Sequence, residues 1–494
     1  MDDTLPTVLL QQPASGDMPA LASISGTANG DLSGLSKVEV RIQRIAGGAD
    51  EDWTGSSWTA LNDHYSTATL SGITGNVDWS YTDLSGAFTN NQVYRLFLQV
   101  TDLAGHVRTA PVGGDRDFKY DQSAPSLAIS FPASPPTQPA YSNDAINAEA
   151  VRISTYTWGT VSDPGVNGSG ISEVWVAMSS GVAENVWWST NTNTFSVNQA
   201  AIYWSSNVYL SGNNWIYAPA QWRAPGFSDG IDYKVFVRAR DKAGNWTSVE
   251  TAPAAFPAGY KQGFKYDVTR PTATVAVPVN GSDVKAITAF SGNSNDPGTG
   301  VSGVSYVYAA VEHVSGPDGL IGWLNWGTGL FSVAAPGYPP GPGWAQVAST
   351  TVDGMTSLSW STPVPAGLLI SSNTYRVAAV ALDKASNVQQ NPAAGGAGAA
   401  FRYDNQAPVV NSTFPLTNQA YNAAGLQALA GTANDGTTGA SGVKTVEVLL
   451  KDTIFNSYWR GDGNFDSGGY SNWVTVAGKE VWSRAWPTLQ DNHT

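Results

Sequence analysis

The sequence predicts an all-β protein, a tandem of β-sandwich domains in an elongated array. Three observations carry this reading. First, one phrase recurs. "DFKYDQSAPSLAI" (117–129), "GFKYDVTRPTATV" (263–275) and "AFRYDNQAPVVNS" (401–413) each run from aromatics to an acid and then a proline, and the chain opens on the second half of the phrase, "DDTLPTVLL". Pro6, Pro125, Pro271 and Pro408 are spaced 119, 146 and 137 residues apart, which suits a whole domain rather than a solenoid unit. Second, apolar residues alternate, as in Val38, Val40, Ile42 and in Val174, Val176, Met178. Period two marks a strand with one buried face. Third, the composition holds 52 Gly and 19 Trp with only 13% charged residues. It favours strands and turns over helices.

Each repeat reads in the same order. The segment after the proline ("PTVLLQQP", "PSLAISFP", "PTATVAVP", "PVVNSTFP") alternates and makes strand A. An apolar–polar run and a turn ending in Ser-Gly follow, as in "YTWGTVSDPGVNGSGISEVWVAM", and supply strands B and C. A variable Trp- and Gly-rich middle leads to strand E. That strand carries Trp79, Trp215, Trp360 or Trp482, each expected in a core. "YRLFLQVTDLAGH", "YKVFVRARDKAGN" and "YRVAAVALDKASN" make strand F, and "FKYD" or "FRYD" closes strand G. Tyr94, Tyr233 and Tyr375 open strand F, where sandwiches place a tyrosine corner. No helix of ordinary length is expected.

The repeats are bounded at 1–121, 122–267 (with a long Trp-rich insert), 268–404 and 405–494. The fourth shows no counterpart of strands F and G. Residues 405–494 are therefore expected to fold poorly alone, and the chain reads as a fragment of a longer array.

The combination of "YxVxVxAxDxAGN", "FxYDxxxPxxxxxxP" and "GTAxDxxSGVxxVxV" resembles the bacterial Ig-like (fibronectin-III/Big-like) tandem repeats of large secreted or surface proteins, over essentially the whole chain. The resemblance implies tandem Ig-like β-sandwiches in an extracellular or cell-surface protein. It implies neighbouring Ig-like repeats of the parent protein as partners and a non-catalytic structural or adhesive stalk role. Such modules serve several purposes, so the fold alone assigns none. The alternative is a module that binds glycans or surface proteins through Trp-rich loops.

A net charge of −14 repels phosphate backbones and anionic lipid, so nucleic acid is excluded as a partner class. No apolar run is long enough for membrane insertion. The start shows neither a basic n-region nor an apolar h-region. With no cysteine, disulfides, zinc–thiolate sites and thiol nucleophiles are all absent. His64, His106, His313 and His493 fall at different places in their repeats and read as solvated loop residues. "GFSDG" (226–230) matches Gly-x-Ser-x-Gly, but a nucleophile elbow needs a strand before it and a helix after it. Here a loop precedes and strand F follows. An enzyme is not expected.

The acids are more informative. In such a sandwich the B–C loop, the F–G loop and the start of strand A share one end. The second repeat brings Asp121, Asp163, Asp241 and Asn245 there, and the third brings Asp267, Asp296, Asp383 and Asn387. The first offers Asp3, Asp31 and Asp102, with His106 in place of the Asn. Calcium takes 6–8 oxygens, and these sets supply about half. The resemblance implies Ca2+ at interdomain junctions, which would make these eight residues ligands. The competing reading is that Asp and Asn bond their own backbone in tight turns, with the Gly of "AGN" at positive φ. The turn reading is favoured because the oxygen count is incomplete. "GDGNFDSGG" (461–469) resembles the first half of a calcium loop, but Ser467 and Trp473 stand where Gly and Glu belong, which favours a hairpin loop.

The remaining tryptophans crowd the variable middles. Trp187, Trp188, Trp204, Trp323 and Trp326 would serve as stacking platforms for sugar rings if exposed. The favoured reading is that such residues fold back as lids over the sandwich edge, as "DWTGSSW" suggests by placing Trp53 beside Trp58 across a tight turn.

Overall fold

We describe a computed structural model covering residues 2–132, 140–141, 157–218, 226–389, 398–466 and 472–489, apart from positions 15, 47, 48, 338, 340, 353 and 437. The chain divides into two units, Met1–Val268 and Thr269–Thr494. Both are built mainly from antiparallel pairings, with one short parallel pair in each (Ala140–Tyr141 and Ser282–Val284 beside strand G), and the only helical element among the described residues is a short 3-10 turn at Ala258–Tyr260.

In the first unit, strand A (Thr7–Gln12), strand B (Ile24–Asn29) and strand E (Asn76–Tyr81) join Thr69–Leu70 in one sheet, in the order A, B, E and then Thr69–Leu70. Strand C (Leu35–Ile45) pairs along its length with strand F (Gln92–Asp102), which in turn pairs with strand G (Arg116–Tyr120). The two sheets share one core. Ile24 and Trp79 from the first pack with Val38, Val40, Tyr94 and Leu96 from the second. Alternation works as expected: along strand F every second residue from Tyr94 to Asp102 is buried.

The pattern repeats. Ser126–Phe131, Thr157–Ser162 and Asn214–Tyr217 form A, B and E of the second sandwich, facing C (Ile171–Ser180), F (Ile231–Asp241) and G (Lys261–Tyr266). In the second unit A, B and E are Thr272–Val277, Ala289–Asn295 and Ser357–Pro363. They face C (Val304–Ser315), F (Asn373–Asp383) and G (Ala399–Tyr403). The last repeat pairs Val409–Phe414, Leu429–Asn434 and Val481–Arg484 in the same A–B–E order.

Strand E's Trp explains a glycine that sequence reading passed over. Gly26, Gly159, Gly292 and Gly431 sit in strand B directly opposite Trp79, Trp215, Trp360 and Trp482. A Cβ on Gly292 would stand 1.9 Å from the Thr274 carbonyl oxygen and 2.8 Å from Trp360 Nε1. The indole lies flat over strand B because nothing projects there, and Trp215 and Trp360 also donate Nε1–H to strand A at Ala128 O (3.2 Å) and Thr274 O (3.1 Å).

Each tyrosine corner closes. The hydroxyls of Tyr94, Tyr233 and Tyr375 accept the N–H of Thr89 (2.7 Å), Ser228 (2.7 Å) and Ile370 (2.9 Å), five residues upstream each time. This accounts for "GFSDG": Ser228 helps to enter strand F, and Phe227 packs in the core.

One histidine departs from expectation. His313 lies on strand C and is 1% exposed, packed on Tyr375 (4.9 Å between ring centres) and Phe331 (5.4 Å). It occupies an inward position that the alternation of "VYAAVEHVS" marks, so it is a core residue and not a loop residue. His493 lies outside the described residues.

Candidate functional site

Within each unit, where one sandwich follows another, the linker acid reaches into the next B–C loop. Asp121 Oδ2 accepts the N–H of Ser169 (2.7 Å) and Oδ1 that of Ser123 (3.0 Å). Lys119, two residues before the acid, donates to Gly168 O (2.8 Å). In the second unit Asp404 Oδ2 accepts from Ser441 N (2.7 Å), Oδ1 accepts from Gln406 N (3.1 Å), and Arg402 donates to Ala440 O (2.6 Å). The same atoms perform the same tasks with the linker residues 283 positions apart (404−121) and their B–C partners 272 apart (441−169). The basic residue, the aromatic and the acid of "FKYD" and "FRYD" thus have separate roles: a clamp on the B–C carbonyl, a core ring or rim, and an acceptor for the Ser N–H.

The local chain supports this geometry. The glycine of each Ser-Gly turn has positive φ (Gly34 87°, Gly170 85°, Gly303 90°, Gly442 85°), a conformation that glycine adopts without Cβ strain. Its N–H is received by the first acid of the loop where one is present: Gly170 by Asp163, Gly303 by Asp296 (2.8 Å) and Gly442 by Asp435 (2.7 Å).

The opening of the chain corrects one assignment. Ser33 N donates to Asp2 Oδ2 (2.9 Å) and Thr4 N to Asp2 Oδ1 (3.2 Å), so Asp2, not Asp3, takes the linker role. Hydrogen bonds from Ser33 and Thr4 hold its carboxyl well below the usual range. Gly30 stands where Asp163 stands in the second repeat, so Asp31 is not its counterpart; Gly34 N bonds Gly30 O instead.

Asp121, Asp163 and Asp241 converge, with one oxygen of each within 4.8 Å of the others. Asp121 and Asp241 are fully buried. Burial, and then the charges of Asp121 and Asp241, push the Asp163 carboxyl up against the opposing hydrogen bond from Gly170. Asp163 Oδ1 is buried without a hydrogen-bond partner. None of the three acids forms an ion pair among the described residues. Such a set can receive a hard cation.

Asn245 does not fit the ligand role expected of it. Its Nδ2 donates to Asp241 Oδ2 (2.8 Å) and Asp121 O (2.8 Å), so it offers hydrogens where a cation needs oxygen. Asn387 likewise donates Nδ2 to Asp383 Oδ2 (2.7 Å) and Thr269 O (3.2 Å). His106 does the same in the first repeat, its Nδ1 2.9 Å from Asp102 Oδ2 and its N–H on Asp102 Oδ1. These three residues fasten the F–G turn. Of the other set, Asp267 belongs to the first unit and Asp296 and Asp383 to the second; all three are buried. In "GDGNFDSGG" Asp462 accepts from Asn464 N (3.0 Å) at the tip of a hairpin, and residues 467–469 lie outside the described part.

The tryptophans proposed as sugar platforms are mostly inside. Trp187, Trp188 and Trp323 are buried, which fits the favoured inward packing and overturns the alternative that they are exposed sugar platforms: Trp187 packs edge-on to Phe236, Trp188 to Phe195, and Trp323 joins Tyr308 and Trp344 in one cluster. Trp204 is half-buried with its face taken by Arg238, whose guanidinium lies 4.4 Å from Trp204, 4.5 Å from Trp175 and 4.4 Å from Trp246. Trp326 is half-buried against the third core. Trp53 and Trp58 are the expected cross-strand pair, 5.4 Å between ring centres. The middles form extra hairpins, Val186–Ser189 with Thr194–Asn198 and Gly322–Asn325 with Leu330–Val333, that extend the C–F–G sheet and turn these rings inward.

No helix among the described residues is long and apolar enough to cross a membrane. No protein-family model matches the chain, and no curated protein matches it. Among solved structures it is similar to one concerning host cell surface retention of a 1.5-MDa bacterial ice-binding adhesin (14% identity over 78% of this chain and 96% of that one, TM-score 0.24). It is also similar to the chicken CNTN1 FN1–FN3 domains (11% identity, 77% and 94%, TM-score 0.23). A third is a set of fibronectin(III)-like modules from Clostridium thermocellum CbhA (12% identity, 53% and 94%, TM-score 0.24). By its own sheets the chain is an all-β tandem of β-sandwiches.

Proposed function

We propose that this chain is a non-catalytic spacer of an extracellular or cell-surface protein, in which, within each unit, one sandwich is fastened to the next by its linker. One observation carries the reading: the clamp made by Lys119, Asp121 and Ser169 is repeated by Arg402, Asp404 and Ser441. A chain whose task is to hold a partner at a distance needs such a repeated junction, and a hinged string of domains does not. Because the chain has no cysteine, single-cysteine pairs can be spin-labelled at will. Labels at the exposed positions Leu61 and Val182 are expected to give a narrow distance distribution that broadens in Asp121→Ala. A distribution equally broad in both proteins refutes the fastened junction.

A second reading concerns calcium at Asp121, Asp163 and Asp241. It is supported by the buried Asp163 oxygen that lacks a hydrogen-bond partner beside two like charges. The three carboxylates fit a divalent cation, and Asn245 does not. Calcium would neutralise the repulsion and stiffen the first junction. The expected result is a calcium-dependent rise in melting temperature that disappears in Asp163→Asn. A melting temperature unmoved by millimolar calcium leaves these acids as turn formers.

A further inference from the structure

One face of the second sandwich carries a cation that no acid meets. Along strand F, Val235, Val237 and Ala239 point into the core, so Arg238 points out of the opposite face of the C–F–G sheet. Three indoles from three segments gather on it. Trp175 lies opposite Arg238 on strand C, Trp246 lies opposite Arg240 after the F–G turn, and Trp204 adjoins Ser205, which pairs with Val176. The guanidinium carbon stands 4.5 Å from the ring centre of Trp175, 4.4 Å from that of Trp204 and 4.4 Å from that of Trp246.

The rings attract the positive charge, yet they leave its N–H groups without an oxygen. Every other described arginine reaches a carboxylate or a carbonyl oxygen. Arg238 forms no hydrogen bond or ion pair among the described residues. Glu173, the acid whose charge it feels, is engaged by Trp175 Nε1 (2.8 Å) and Arg240 (3.6 Å). Arg238 Nε is buried without an acceptor, whereas Nη1 and Nη2 are not enclosed. The open side of the fork is therefore its Nη edge. The fold does not require a charge at this place. Counting from the tyrosine corner, it is held by Gln99 in the first repeat and by Val380 in the third, where Val380 packs with Tyr308, Trp323 and Trp344. An apolar side chain can thus close this face, and a charge in its stead brings a desolvation cost.

We propose that Arg238 and its three indoles form a binding site for the carboxylate of an acidic sugar, a uronate. A carboxylate lying in the guanidinium plane accepts two parallel N–H bonds from the Nη edge, the paired geometry that arginine favours. The rims of the half-buried indoles Trp175, Trp204 and Trp246 then border the apolar face of the pyranose ring. A peptide fits this place less well. Strand C is paired with strand F on one edge and with Val186–Ser189 on the other, and strand F is paired with strand G, so neither strand offers a free main-chain edge for strand addition. A doubly charged sulfate or phosphate meets more repulsion from a chain of net charge −14 than a single carboxylate does.

The test uses the full chain, isotope-labelled at its arginine and tryptophan nitrogens, titrated with D-glucuronate at constant ionic strength and read by NMR. The Arg238 Nε–H signal and the indole signals of Trp175, Trp204 and Trp246 are expected to shift saturably at millimolar glucuronate. Glucose should leave them in place, and acetate, which lacks the ring, should bind at least tenfold more weakly. Arg238→Lys keeps the charge but not the fork, and should weaken the glucuronate response of the indoles at least tenfold. The proposal is overturned by no shift at high-millimolar glucuronate, or by an equal response to glucose, acetate or sulfate. Tighter binding of a peptide that ends in a free carboxylate also overturns it, by giving the site to a protein partner. Should Arg238→Lys misfold, the comparison of glucuronate, glucose and acetate on the unaltered chain decides the matter.

Discussion

Replacing Asp404 with alanine probes the junction directly. Its carboxylate is 6% exposed and accepts from Ser441 N (2.7 Å), Ser371 Oγ (2.9 Å) and Gln406 N (3.1 Å). A hydrogen bond to a charged acceptor contributes about 1.5–3 kcal/mol, and a buried donor left without one costs about 1–3 kcal/mol. The Ser371 hydroxyl and the Gln406 amide can turn to water, so the Ser441 N–H carries most of the loss. The net cost is about 2–3 kcal/mol, which at about 1.4 kcal/mol per decade lowers the preference for the closed junction roughly 30- to 140-fold. Amide exchange on the full chain reads this locally. Ser441 and Gly442 should exchange faster by about that factor, while amides in the ladder between strands C and F of the third repeat stay protected. Unchanged exchange at Ser441 in a folded Asp404→Ala protein would refute the claim that this carboxylate fastens the junction.

Four other outcomes are expected. Gly292→Ala forces a methyl to within 1.9 Å of the Thr274 oxygen and should destabilise its unit by at least about 2 kcal/mol in denaturant titration, an overpacking cost; a loss below about 0.5 kcal/mol would contradict the close approach. Tyr233→Phe removes the acceptor of the Ser228 N–H and should cost about 1 kcal/mol in the same assay. Ser386 holds positive φ (66°) where the first two repeats use Gly105 and Gly244, so Ser386→Gly should stabilise by about 0.5–1 kcal/mol in thermal melts. Acid titration followed by carboxyl NMR separates two aspartates. Burial raises the Asp404 carboxyl, but hydrogen bonds led by the Ser441 N–H hold it below its ordinary value, so its contribution is present above the unfolded value and lost as pH falls through the folded one. The Asp163 carboxyl is raised, so its contribution is favourable below the unfolded value and lost as pH rises through the folded one, and bound calcium should bring it down.

Much of the site was legible, and the reason is local. Asp121, Asp163 and Asp241 sit at fixed offsets from a proline, a Ser-Gly and an Ala-Gly-Asn, and turn chemistry ties those offsets to one end of the sandwich. The donors were not legible. Asn245 offers its nitrogen rather than its oxygen because three acceptors surround it, two of them more than 120 residues away. Asp2 rather than Asp3 takes the linker role because only Asp2 meets Ser33 N. That Trp187, Trp188 and Trp323 turn inward was the favoured reading, but the hairpins that carry them were not legible, because their residues lack the clean alternation that announces a strand.

By itself, the order of alternating segments, Trp, Tyr and the aromatic–acid–proline phrase determined that the chain is a tandem of sandwiches, and where the A, B, C, E, F and G strands and the tyrosine corners of the first three repeats fall. Period two and the tyrosine corner are short-range constraints, readable from neighbours in the chain. Only the tertiary structure decided which groups meet across the turns. Hydrogen-bond direction, the glycine beneath each indole and the crowding around Asp163 all depend on contacts between segments distant in sequence.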